Sequence, residues 1–256
     1  MKRIAFKANP ARMGYRELFR VAGPPVTGLL ACTLKLFRIL GPDTGGFGFR
    51  ALGDRLDRRD PDDLPRRVIR SCDGYCARLR KLGFVPGFAY SLEAFGSQEG
   101  HAMVFRHKDG TAAAAVVYAR CARNDTETET TVFGFNTPLA DDTYVMTSGN
   151  KRLMTKPEHF RVEYHPGRSP ADVFDRHLDR LDTTAATPRK VRTDDDLERM
   201  VLDCENSETE FNLDRGVFVK MTRDEIEEGE ELRDAYASEV DSVGSRRRRR
   251  YDDDED

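Results

Sequence analysis

His159, Arg161, Glu163 and His165 alternate with Phe160, Val162 and Tyr164. On an extended strand this spacing puts the four polar side chains on one face and the three apolar ones on the other. A Glu–His pair on such a face could do acid–base work, and the row could line a ligand cleft. A solvated strand face carries the same pattern. These four residues are the candidate ligand-binding set.

The remaining histidines suggest less chemistry. His101 and His107 fall on one predicted strand, about 20 Å apart at the rise of a strand, too far to chelate one metal. His177 stands among the apolar positions of a predicted helix and reads as a core histidine. A nucleophilic Cys121–His107 pair needs a proximity that the sequence does not show.

Five cysteines, an odd number widely spaced in 256 residues, do not make a disulfide framework, so a reducing cytoplasm is the expected location. Cys72 and Cys76 share a helix face, but a zinc site needs four ligands and no second pair has matching spacing. No metal or cofactor is expected. HExxH, GxSxG, phosphate-loop and GxGxxG motifs are absent.

The chain ends in SRRRRRYDDDED. Arg246, Arg247, Arg248, Arg249 and Arg250 could neutralise phosphates, yet the acids of 252–256 lie well inside a Debye length and repel the same groups. The tail is expected to be disordered and self-screening, a partner-docking or solubility element rather than a nucleic-acid site. Residues 1–50 hold about seven more bases than acids, and 193–241 about thirteen more acids than bases. The two ends therefore either attract each other or face different partners.

Val21 to Leu34 is apolar and preceded by bases, but it falls short of the roughly 20 residues that span a bilayer and contains Pro24 and Pro25. Leu29–Cys32 resembles a lipobox, with Cys32 as the lipid acceptor. The amphipathic sequence after it argues for a helix over 26–40, packed on the protein or lying on a membrane surface.

Four regions follow: a basic segment with one short helix and a Gly-rich linker over 1–60, a core domain over 61–182, an acidic helical extension over 183–244, and the tail, 245–256. The core opens with a helix over 61–82, started by Asp60-Pro61 and stopped at Gly83. Period-two patterns then place strands at 84–92, 101–107, 111–121, 130–135, 143–148 and 159–164. Lys108-Asp109-Gly110 is a hairpin turn, 124–129 a polar turn and 138–142 another. The alanines and valines of 111–121 are apolar on both faces, which predicts a central strand under a close second layer. Val116 and Phe133 are predicted core. A helix over 169–181, a shorter one over 194–204 and an acidic one opened by the capping box Thr222–Glu225 follow. The fold class is α+β: a mainly antiparallel sheet of five or six strands with helices on one face.

Leu82-Gly83-Phe84, the hairpin Phe105–Thr111, the strand Thr131–Phe135 and Arg176-His177 give residues 64–182 an order that resembles uncharacterised bacterial α+β proteins. The resemblance implies the fold and no activity. The absence of catalytic motifs favours a non-catalytic module that binds a protein partner. A small-molecule binder or enzyme using the 159–165 face, and a weak nucleic-acid binder using the basic N-terminus and the arginine tail, are the alternatives.

Overall fold

The computed structural model describes residues 4–22, 25–36, 48–50, 54–92, 94, 98–123 and 126–232. The Gly-rich linker of 41–47, the end of the expected 26–40 helix and the whole arginine–aspartate tail lie outside these residues.

Six strands form one sheet: β3 (Phe84–Leu92), β4 (Gln98–His107), β5 (Ala113–Arg123), β6 (Thr126–Pro138), β7 (Tyr144–Ser148) and β8 (Phe160–Tyr164), paired in that order. All neighbours are antiparallel except β7 and β8, which run parallel. The sequence lacks a helix between these two strands, which suggested another hairpin. Instead the 149–159 connection crosses back without one. The 124–129 stretch is not a polar turn either: β6 begins at Thr126 and pairs with Arg123. Threonines and glutamates are polar, but a strand end lying against solvent accommodates them.

Both faces of the centre are covered. Met103, Phe105, Ala114, Val116, Phe133 and Phe135 pack beneath α3 (Arg66–Lys81) and α4 (Pro170–Asp182). The alternate residues Ala102, Val104 and Ala113 face α5 (Asp194–Asp214). This is why β5 is apolar on both sides. Gly87, at a bulge in edge strand β3, admits α5: a Cβ there would stand 2.6 Å from Leu197.

The expected 61–82 helix is broken. Asp60 caps only a short turn over Pro61–Asp63, and Leu64 is extended at ψ 155°. Pro65 forces this, because its ring disfavours helical geometry in the residue before it. The α-helix starts at Arg66 and ends before Gly83, whose φ is +89°. Cys72 and Cys76 are buried on its inner face, and burial pushes the Cys72 thiol up to about 12. They are packing residues. Ser169 and Thr193 cap α4 and α5, each in a capping box with an aspartate.

The two oppositely charged ends meet. β1 (Ala5–Ala8) pairs with both β2 (Gly48–Arg50) and β9 (Phe218–Lys220) in a small second sheet. None of these short strands has a sequence pattern long enough to reveal it. Lys7 pairs with Glu225, beyond β9. α1 (Tyr15–Val21) and α2 (Pro25–Leu36) form a hairpin against this sheet, and Cys32 lies mid-helix with Sγ 3.5 Å from the Tyr15 carbonyl. Outward on α2, Leu29, Leu30 and Leu36 are exposed. The chain is helical again from 223 to 232, and Thr222 and Glu225 exchange the expected capping bonds.

Glu17 fastens α1 to the rest. Its buried carboxylate accepts bonds from Gly14 N, Thr155 N and an Arg215 guanidinium nitrogen at 2.8, 2.6 and 2.5 Å. Burial alone would raise its pKa; Arg215 and Thr155 outweigh that and hold it at about 2. Glu17→Ala leaves two amides unpaired and Arg215 with only Asn212 and the Phe211 ring, and is expected to cost about 2–4 kcal/mol, read from urea melts at pH 7.

Candidate functional site

The row of 159–165 lies on and beside β8, an edge strand, and its residues pair with one another and with neighbours. Arg161 reaches Asp141 at 3.2 Å, and Glu163 reaches His165 at 3.3 Å and Arg180 at 3.5 Å. Arg161 and Glu163 are exposed. His159, just before the strand, packs edge-on against Phe160. Arg180 also donates to the Met146 and Arg161 carbonyls, so it clamps the parallel pair together. Arg246 to Arg250 lie outside the described residues.

The other histidines have partners within the fold. His177 is fully buried and hydrogen-bonded to Thr137 and Thr147 at 2.9 and 3.0 Å. His101 contacts Glu99 and Ser91, and His107 contacts Asp109 and the Leu82 carbonyl. Cys121 pairs across the sheet with Gln98, at the opposite end of β4 from His107, so the two form no dyad. Among the described residues no three His, Cys, Asp or Glu side chains gather closely enough to hold a metal ion. No helix among them is long and apolar enough to cross a membrane.

A different place has the shape of a site. The first half of α5 lies on the sheet through Leu197, Met200, Val201 and Cys204, all buried. Continuing the same stripe gives Glu205, Glu208, Thr209 and then buried Asn212. The inward face of the helix thus turns from apolar to acidic halfway along. Under this second half the sheet and helix separate around a half-enclosed cavity of about 510 Å³. Its floor is the Gln98 end of β4, the Ala119 and Cys121 end of β5, and Thr128 and Thr130 of β6. Leu92 and Ala94 close one side, and Phe49, Phe218 and Met154 close the other. Phe49 and Phe218 meet edge-on at 4.9 Å, so the small sheet supplies an aromatic wall. The walls are mainly apolar, and the volume lies in the range of small-ligand pockets.

The charges in this wall are few. Glu208 forms an ion pair with Lys156 of the 149–159 connection. Glu205 also lines the cavity, and Lys156 is the cation that acts on it. Burial raises the Glu205 pKa, and Lys156 offsets part of that rise. Burial in turn lowers the Lys156 pKa, against the pull of Glu205. A carboxylate held in an apolar recess with a perturbed pKa is a common mark of a functional position. A second, more open cleft lies at the start of α5, between Arg58 and Asp195; its charges pair with each other at 2.8 Å.

The sequence held one signal for the cavity: glutamates at core-facing positions of a helix. The apolar period stops at Cys204, and with it the expected helix, so Glu205 and Glu208 lie beyond its predicted end in the acidic extension. Comparison of the chain with protein-family models, with curated proteins and with solved structures finds no match.

Proposed function

We propose that the protein binds a small, largely apolar molecule in the cavity between the second half of α5 and the sheet. The observation that carries this is the 510 Å³ apolar recess into which α5 turns Glu205, Glu208 and Thr209. Apolar walls supply affinity by removing ligand surface from water, and a few polar groups set its orientation. No hydrogen-bonded nucleophile–base pair is found among the described residues that line it, so binding rather than turnover is the reading. A second reading, docking of a protein partner, rests on a separate feature: the exposed Leu29, Leu30 and Leu36 of α2.

Ala119 lies on the cavity floor and is exposed to it. Ala119→Phe fills the recess without touching the buried core. N-phenyl-1-naphthylamine, an uncharged fluorescent probe, is expected to bind the wild-type protein saturably at one site. The Ala119→Phe protein is expected to bind it at least about tenfold more weakly, a loss of about 1.4 kcal/mol. An unchanged urea midpoint would show that the fold is intact. Absence of saturable binding to the wild type, or equal binding by the variant, overturns the reading.

A further inference from the structure

The apolar cavity has an unbalanced charge at one wall. Two carboxylates, Glu205 and Glu208, face it from α5, and one ammonium, Lys156, answers them from the 149–159 connection. Lys156 is committed to Glu208 by an ion pair. Glu205 is one helical turn away, and no hydrogen bond joins it to the described residues. Of the other charged groups that border the space, Arg120 and Glu99 belong to the opposite face of the sheet. There Arg120 pairs with Glu127, and Glu99 with Arg67 and His101.

A carboxylate in an apolar wall that shares its one nearby cation with a second carboxylate is costly unless it is neutralised further. It can take up a proton or receive a cation. Burial already pushes the Glu205 carboxyl toward its protonated form, with Lys156 acting against that. A ligand that brings its own cation meets the same need and adds a charge-assisted hydrogen bond. A ligand carboxylate would meet two like charges and have to compete with Glu208 for Lys156. A hydroxyl would gain only a neutral hydrogen bond.

We infer that the cavity selects amphiphilic amines: molecules whose apolar body fills the space between β4–β6 and the Phe49–Phe218 wall, and whose ammonium group binds Glu205. This rests on the cavity being a ligand site, as proposed above. Glu205 is then the specificity-determining residue, one helical turn from the Glu208–Lys156 pair.

The test separates the two claims. Octylamine, 1-octanol and octanoate share one chain and differ in head group. Each is titrated against the full-length protein loaded with N-phenyl-1-naphthylamine at pH 7, and displacement of the probe is read. Octylamine is expected to displace it at a concentration about tenfold or more below octanol, with octanoate weakest. In Glu205→Gln, octylamine is expected to fall to the level of octanol. The variant removes a desolvated charge, so its urea midpoint should not fall. Probe binding with equal displacement by all three, or an amine preference that survives Glu205→Gln, overturns the amine inference and leaves the cavity reading standing. Failure of the probe to bind the wild type overturns both.

Discussion

Phe135→Ala is expected to lower the unfolding free energy by about 3–5 kcal/mol, the range for truncating a buried phenylalanine. Phe135 is fully buried on the α3–α4 face of β6. Its ring centre lies 5.4 Å from that of Phe84 and 5.0 Å from that of Phe174. Phe133 and His177 are neighbours at 6.2 and 6.0 Å. These partners come from β3, β6 and α4, so the ring joins elements far apart in the sequence. They cannot all close on the space it would leave, because each is fixed by its own strand or helix. Urea denaturation should show a lower midpoint with an unchanged slope. The contrast is Thr130→Ala, on the exposed end of the same strand, expected to stay within about 0.5 kcal/mol. A loss below about 1 kcal/mol for Phe135→Ala would mean that β6 turns its other face to α4.

The second large effect is a pH dependence. His177 is fully buried between Thr137 and Thr147, and desolvation, with a smaller push from Arg180, depresses its pKa to about 3. The unfolded chain would titrate near 6.5. Between these values the unfolded state binds a proton that the folded state refuses. Stability from this residue is therefore complete above about pH 6.5 and falls as pH drops toward 3, by about 1.4 kcal/mol per pH unit. Carboxylates titrate in the same window, so the measurement is a difference. Urea melts of wild type and His177→Gln at pH 7, 6, 5 and 4 isolate the histidine. Glutamine is less stable at pH 7, where it loses the fitted bonds to two buried threonines. The gap is expected to narrow steadily below pH 6.5. A gap independent of pH would mean that His177 titrates alike in the folded and unfolded chain, as a solvated imidazole does.

Much of the sheet was legible because its signals are local. The Lys108-Asp109-Gly110 turn, with Gly110 at φ +75°, lies between the two strands it was expected to join. Strand β3 matches its predicted bounds, and Ser169-Pro170 opens α4 by a cap that needs only four residues. Val116 and Phe133 are buried as the period-two pattern requires. The errors arise where the deciding partner is distant. The parallel β7–β8 pair depends on Arg180 of α4, which bonds to the backbone of both strands. The strands β1, β2 and β9 are too short to carry a pattern, and each exists through its pairing with residues elsewhere in the chain.

Taken alone, the sequence determined the Lys108–Gly110 hairpin, the caps at Ser169 and Thr222, the burial of Cys72, Cys76 and His177 in the core, and the opposite charge of the two ends. Periodicity, turn residues and caps act within a few positions, so each can be read in place. Only the tertiary structure decided that the two ends join in a second sheet, that the polar row of 159–165 lies on and beside an edge strand, and that α5 continues past Cys204. The cavity belongs wholly to that second class. Its walls come from β2, β3–β6, α5, β9 and the 149–159 connection. No window of sequence contains them, and the helix that bears Glu205 and Glu208 is inward-facing there only because the first half of α5 is anchored on the sheet by Leu197, Met200 and Val201.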